Sequence, residues 1–466
     1  MSCKNMTFEE CELVILRLAM DNAEKKIKLK LNTPEVSKII NIVAKFIKNK
    51  KLICYGGTAI NNILPDKDKF YDDDIDIPDY DFFSTTPIED AIELTDIYHN
   101  QGFEVEAKSG QHIGTYKVFV NFMPIADITF MEKTIFDDLV PKCIIKKDIL
   151  YAPPNFLRMS MFTELSRPEG DVSRWEKVLK RLLLLNKYYP IAYKPCRHIH
   201  FQRKLVSNKK LTHIIYTTVL DFFIKNNAVF FGGYAVSLFS KYMDNKINDK
   251  QPDFDILSTK PAFLANKLKS ALENINIKNV KVIKHIKIGE LIGEHYEIKV
   301  DIDTIAFIYE PLSCHSYNKI TEGNKTINIA TIDTMLSFYL AFLYIKKPYY
   351  YYDTERIVCM CQYLFNVQQH NRLKQKGLLK RFSIDCIGKQ QTLEELKEEK
   401  TRMYEKLRKD KNNPLYKKYF FRYKPVDSDP INSYSNKLSL HPKQTKKTKH
   451  STHKTRKSGF FNWFKY

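Results

Sequence analysis

Hydrophobic and polar positions alternate along this chain in a few distinct rhythms. After Thr33-Pro34, apolar Val36, Ile39, Ile40, Val43 and Ile47 recur three and four residues apart, the period of one helix face. Thr33 suits an N-cap, and Pro34 suits the first helical position. Leu52 to Tyr55 is a short apolar run and predicts a strand. Gly56-Gly57 interrupts it, and a second helix is predicted from Thr58 to about Leu64. Residues 79–83, Asp-Tyr-Asp-Phe-Phe, alternate at period two, so a strand here points Asp79 and Asp81 to one face. A third strand, Phe119 to Phe130, carries Asp127. Trp175 to Leu185 reads as a basic amphipathic helix, with Lys177, Lys180 and Arg181 among leucines. The longest uncharged apolar stretch is Thr334 to Ile345, twelve residues, too short to span a bilayer.

These rhythms occur twice. Residues 78–87 read Pro-Asp-Tyr-Asp-Phe-Phe-Ser-Thr-Thr-Pro, and residues 252–261 read Pro-Asp-Phe-Asp-Ile-Leu-Ser-Thr-Lys-Pro. Upstream, Cys54 to Ile60 mirrors Phe230 to Val236, each with a Gly-Gly pair. Downstream, Ile113 to Met131 is similar to Ile292 to Glu310, with a one-residue shift allowed. Three matched segments in one order predict a duplicated domain. The expected fold class is α/β (α+β): tandem domains with mixed sheets, linked by helical segments. The expected boundaries are 1–190 for N-terminal helices and the first copy, 191–345 for the second copy, 346–436 for a helical C-terminal region, and 437–466 for a basic, disordered tail.

Composition narrows the class of partner. The 466 residues carry 75 Lys and Arg against 54 Asp and Glu, a formal charge of +21. Lys437 to Tyr466 holds nine basic residues and no acid, so the body remains basic without its tail, which suits a polyanion. The tail ends in Phe460, Phe461, Trp463 and Phe464, and its role is left open among RNA binding, import and solubility. With 44% apolar residues the chain can bury a core. Lys4, Glu9, Glu10 and Glu12 argue against a secretory signal. Nine scattered Cys read as free thiols in a reducing compartment. These features predict a soluble, cytoplasmic protein with no membrane association.

Two carboxylates at i and i+2 on a strand, with a third on a neighbour, make a hard-oxygen cage for Mg²⁺ or Mn²⁺; with substrate phosphates it holds two ions. Asp79, Asp81 and Asp127 are the candidate catalytic and metal residues. Asp74 and Asp76 are also spaced i, i+2, but only Asp79/Asp81 has a counterpart, Asp253/Asp255. Gly56, Gly57 and Thr58 lie at a predicted helix N-terminus, which suits a triphosphate. An ungapped alignment of Tyr116 with Tyr296 places Phe307 over Asp127, and Tyr234 falls on Thr58. The second copy is therefore expected to be structural. A shifted register using Asp303 would undo that expectation.

The order Gly-Gly-Thr, Asp-x-Asp, single Asp resembles the DNA-polymerase-β-like nucleotidyltransferase superfamily. The tandem arrangement, with Ile-Pro-Asp-Tyr-Asp-Phe-Phe-Ser in the first copy, resembles the poly(A) polymerase catalytic subunits of large DNA viruses, over roughly residues 30–345. The resemblance implies two-metal transfer of AMP from ATP to an mRNA 3′ end, with Asp79 and Asp81 bridging both ions and Asp127 helping to activate the 3′ hydroxyl. It implies a single-stranded RNA partner, a homodimer or a viral processivity subunit, and a virion or viral-factory location. Lys177 and Lys180 are assigned to nucleotide binding, with Arg174 and Arg181 beside them. The alternative for all four is a solvated helix face. Other readings kept open are a different donor or acceptor (tRNA end-adding, uridylyl-adding or oligoadenylate-making enzymes) and a non-catalytic RNA-binding subunit.

Three further clusters favour structural roles. Cys196, His198 and His200 lack the second half of a zinc site. Cys359 and Cys361 read as helix core. Tyr349 to Tyr352 reads as helix-end packing rather than base stacking.

Overall fold

Helices α1 (Phe8–Leu31) and α2 (Pro34–Lys50) open the chain. The Thr33 hydroxyl accepts from Val36 N at 3.3 Å, so α2 starts at the expected cap. The first α/β unit follows: β1 (Ile53–Tyr55), α3 (Gly56–Ile63), β2 (Tyr80–Ser84), α4 (Pro87–His99), β3 (Val105–Ser109), β4 (Thr115–Val120), β5 (Met123–Phe130), α5 (Lys133–Leu139), β6 (Ile144–Lys146) and β7 (Ile149–Tyr151). Helices α6 (Pro154–Leu165) and α7 (Trp175–Tyr188) lead out of it. The second unit comprises α8 (Lys209–Lys225), β8 (Val229–Phe230), α9 (Gly233–Leu238), β9 (Phe254–Leu257), α10 (Pro261–Glu273), β10 (Val280–His285), β11 (His295–Val300), β12 (Asp303–Tyr309), β13 (His315–Glu322), β14 (Lys325–Ala330) and α11 (Ile332–Phe342). Then come α12 (Thr354–His370), β15 (Cys386–Ile387), α13 (Leu393–Leu407), α14 (Pro414–Phe420) and β16 (Arg422–Tyr423). This computed structural model describes residues 3, 6–31, 33–71, 78–192, 196, 209–243, 253–345, 354–371 and 373–426.

Two mixed eight-stranded sheets result, ordered β16-β3-β4-β5-β2-β1-β7-β6 and β10-β11-β12-β9-β8-β14-β13-β15. Without β16 and β15 the two orders are the same, strand for strand. Even the irregularities match: the β4–β5 pairing shifts between Val118 and Phe119, and the β11–β12 pairing shifts between Ile298 and Lys299. The helices that follow the equivalent strands, α6 and α11, pack on each other. Both sheets lie in one compact unit, Met1–Pro425; Val426–Tyr466 is a second unit.

The period-two pattern of β2 explains how the sheet is seated. Tyr80 and Phe82 face the core, with Phe82 fully buried near Phe46 of α2 at 6.4 Å between ring centroids. Asp79, Asp81 and Phe83 take the other face. Truncating Phe82 to Ala would cost about 3–5 kcal/mol, so core packing enforces the orientation of the aspartates.

Some expectations need correction. The third strand is two: Asn121 and Phe122, with φ of 48° and 67°, turn a hairpin, so Phe119 and Val120 belong to β4. The C-terminal stretch carries strands as well as helices, because β15 and β16 extend the two sheets at opposite ends. Six cysteines are not free. Cys3–Cys11, Cys196–Cys359 and Cys314–Cys386 are disulfide-bonded, while Cys54, Cys143 and Cys361 are free. Partners 72 and 163 residues apart have no spacing signature, because folding alone brings them together. Cys359 and Cys361 do lie on a helix, α12, and both are buried. Asp74 and Asp76, His198 and His200, Tyr349 to Tyr352 and the tail 437–466 lie outside the described residues. Among the described residues, no helix is long and apolar enough to cross a membrane.

Candidate active site

Parallel pairing of β2 with β5 sets Asp81 directly beside Asp127. Asp79, two residues earlier, shares their face. The three charges feel one another. Burial, then Asp79 and Asp127, push the Asp81 carboxyl up to about 7. Burial, then Asp127, also raises Asp79. Like charges held close together disfavour ionisation and so add to the effect of burial.

A cation already stands at one of them. Lys117, opposite Asp127 on β4, donates from Nζ to Asp127 Oδ1 at 2.7 Å and to Oδ2. Asp79, Asp81 and Asp127 do not bring three ligand atoms within 4.8 Å of one another. The aspartates are thus spaced more widely than a closed cage, with the Lys117 ammonium tied to one of them. Oxygen donors, raised pKa values and an ammonium on Asp127 all fit hard divalent cations.

The glycine turn is built against this cluster. Gly56 has φ +71°, and a Cβ there would fall on Asp81 Oδ2. Only glycine supplies both the turn and the room. A Cβ at Gly57 would lie 2.7 Å from Tyr71 Oη and 2.8 Å from Arg181 Nη1. Arg181 donates from Nη2 to Tyr71 Oη at 2.6 Å, and its guanidinium lies 4.9 Å from the Phe70 ring centroid. Asn61, buried on α3, accepts from both Phe70 N and Tyr71 N at 2.9 Å. This clamp holds a planar cation over the N-terminus of α3, where an anion is favoured.

The assigned lysines fare differently. Lys180 pairs with Glu176 at 2.7 Å, both side chains being more than 70% exposed, which is the solvated-face geometry. Lys177 lines the same shallow cleft as Phe70, Tyr71, Lys180 and Arg181. The Thr58 hydroxyl donates to the Asp79 carbonyl at 2.7 Å, so Thr58 positions the aspartate strand. Arg174 is ion-paired with Glu164 at 3.0 Å and close enough to Asp81 to oppose the rise of its pKa. Sequence reasoning assigned no role to Asn61, Tyr71 or Lys117. A cavity of about 1090 Å³ opens beside Tyr80, whose side chain faces away from that of Asp81.

The second copy repeats the frame with a phenylalanine in place of the third carboxylate. A Cβ at Gly232 would fall on Asp255 Oδ2, as at Gly56. Phe307 pairs with Asp255 as Asp127 pairs with Asp81, so the unshifted register holds. Asp303 lies at the start of β12, paired with Val300. Glu297, opposite Phe307, stands where the first copy has Lys117; it bonds His285 Nε2 at 3.0 Å. Tyr234 fills the Thr58 position and packs on Phe230, 4.9 Å between centroids.

Residues 41–171 match the family model of the poly(A) polymerase catalytic subunit. A protein of African swine fever virus named "Putative poly(A) polymerase catalytic subunit" is 34% identical over 177 residues, 36% of this chain and 37% of that protein. One of the same name from Acanthamoeba polyphaga mimivirus is 34% identical over 158 residues, 33% of this chain and 26% of that protein. The match thus spans only 37% and 26% of the length of these two curated relatives. The crystal structure of the Megavirus polyadenylate synthase shares the fold: the TM-score is 0.72 at 22% identity, over 91% of this chain and 87% of that one. The resemblance to the viral catalytic subunits read from the Gly-Gly and Asp-x-Asp motifs is borne out.

Proposed function

We propose that this protein is a template-independent polynucleotide adenylyltransferase, adding AMP from ATP to RNA 3′ ends, mRNA ends above all. One observation carries the reading: Asp79, Asp81 and Asp127 share one sheet face beside the Gly56-Gly57 turn, within the segment that matches the viral catalytic subunits. Asp79 and Asp81 would hold two Mg²⁺ or Mn²⁺ ions, with Asp127 on the neighbouring strand. Bound there, the ions supply Lewis acidity toward the phosphates and lower the pKa of the attacking hydroxyl.

The chain's own groups do the rest. The α3 N-terminus and Arg181 receive the triphosphate, with Lys177 at the cleft edge. Arg174 adds positive charge near the transferred phosphate. Asp127, released by Lys117, is placed to orient the acceptor 3′ hydroxyl and take its proton. The second copy, with Phe307 and Glu297 at the key positions, serves as a scaffold. The basic body binds RNA electrostatically, with affinity falling steeply as salt rises. The catalytic-subunit names of the relatives favour a helper subunit for processivity, and a homodimer is the alternative. The site of action is the cytoplasm, in a viral factory or virion.

The test is primer extension. The full chain is incubated with single-stranded RNA, Mg²⁺ and each NTP separately. Extension with ATP is expected. No 3′ addition with ATP overturns the reading, and addition of another nucleotide or linkage reassigns the donor.

A further inference from the structure

A cavity of about 490 Å³ lies where the two α/β units meet, within the range of small-ligand sites. Phe83 and Thr129 form its floor. Each stands two residues beyond Asp81 or Asp127 on the same face, about 7 Å along the strand. The opposite wall comes from the second copy, with His315 at the start of β13 and Phe338 of α11, and from the C-terminal region, with Gln390 just beyond β15. Arg167, beyond α6, completes it.

Its lining is mostly apolar but includes buried polar atoms. Arg167 Nε, His315 Nδ1 and Gln390 Oε1 are buried, yet none has a hydrogen-bond partner among the described residues. A buried polar atom is costly unless something meets it. Three in one cavity point to a ligand that supplies the missing partners. Burial and the nearby Arg167 charge push His315 down to about 3, so its imidazole is neutral and has one donor and one acceptor nitrogen. The His315 and Phe338 rings lie 5.1 Å apart, and Phe338 and Phe83 offer apolar faces. The Cys314–Cys386 bond ties β13 to β15 and braces His315 against the Gln390 segment.

We propose that this cavity is a nucleobase pocket in which His315 of the second copy, Gln390 of the C-terminal region and Arg167 read the base edge. The proposal rests on the polymerase reading above. An adenine presents an amine donor beside a ring-nitrogen acceptor. Gln390 Oε1 accepts from the amine, and Arg167 Nε or His315 donates to the ring nitrogen. Guanine puts a carbonyl where the amine should be and confronts Gln390 Oε1 with a second acceptor. The apolar faces supply stacking. The second copy, without a complete carboxylate set, thereby contributes selectivity. The base comes from the incoming nucleotide or from the terminal residue of the acceptor strand, and the chemistry of recognition is the same for both.

Two probes separate the sources. Formycin, a fluorescent adenosine isomer that keeps the amine edge, is supplied either as its 5′-triphosphate or as the 3′-terminal residue of an RNA strand. Binding to the full chain is expected to change the fluorescence of one of them. Gln390→Leu and His315→Asn are expected to raise KM for that same source about tenfold, with little change in kcat. Preference for ATP over GTP falls if the base is the incoming one; preference for a terminal A falls if it is the acceptor's. The proposal is overturned if neither probe responds, or if folded variants leave both KM values unchanged. Silence of both probes on the wild-type chain overturns the proposal even if a variant does not fold. A fluorescence response without any extension keeps the pocket and sinks the polymerase. Extension without a response or a KM shift does the reverse.

Discussion

Phe307 lies directly across from Asp255 on paired parallel strands, the position that Asp127 holds across from Asp81 in the first unit. An aromatic ring cannot ligate a divalent cation, so the second unit lacks its third oxygen donor. Asp81→Asn is expected to lower kcat for RNA extension by at least about a hundredfold, since even an outer partner of a metal ligand costs 10–100-fold. Asp255→Asn is expected to leave kcat close to wild type. Steady-state extension rates, with melting temperatures as a check on folding, decide this. Equal losses in both variants would show that the two units share the chemistry.

Lys117 competes with any cation for Asp127, since its ammonium binds both carboxylate oxygens. Lys117→Met removes that competitor and one positive charge. Mn²⁺ binding, followed by the electron paramagnetic resonance of the free ion, is expected to tighten in the variant. Weaker binding would mean that Lys117 helps to organise the site for metal.

Asp81 also makes stability depend on pH. Its carboxyl is raised to about 7 in the folded chain, against an ordinary value near 4. Between those values the folded state binds more protons than the unfolded state, so metal-free stability falls as pH rises from about 4 to 7. Asp81→Asn removes this contribution. Its melting temperature is expected to exceed that of wild type more at pH 8 than at pH 5 in EDTA. Mg²⁺ is expected to narrow the difference at pH 8. A difference independent of pH in EDTA would contradict the assignment.

Arg181 and Lys180 neighbour each other on α7 but face different surroundings. Arg181 lies against Gly57, bonded to Tyr71 and set over Phe70; Lys180 forms an exposed i, i+4 pair. Charge-assisted hydrogen bonds contribute about 1.5–3 kcal/mol, so Arg181→Ala is expected to raise KM for ATP roughly ten- to hundredfold. An exposed pair contributes about 0–1 kcal/mol, so Lys180→Ala is expected to change KM little. Titrations with ATP at saturating RNA measure both. An equal effect of the two substitutions would return Lys180 to the phosphate site.

The features legible in advance were those written in short-range order. Thr33-Pro34 caps α2 because a side chain reaches a backbone three residues on. Asp79 and Asp81 share a face because strand side chains alternate. The Lys117-to-Glu297 exchange was also readable, since the ungapped alignment that exposed Phe307 places these residues opposite each other. The Arg181 clamp was not, because Asn61, Tyr71 and Arg181 meet only when α3 and α7 have docked. A helical wheel cannot say which of Lys177, Lys180 and Arg181 turns inward.

The amino-acid sequence by itself determined the duplication, the α/β class, the glycine turns and which copy keeps three aspartates, because repeats and periodicities are properties of neighbouring residues. Only the tertiary structure decided that Lys117 sits on Asp127, that Cys314 joins Cys386, and that His315, Gln390 and Arg167 converge on one cavity. Those pairings are set by how two sheets and their helices pack, and packing brings together residues whose separation along the chain carries no trace of the contact.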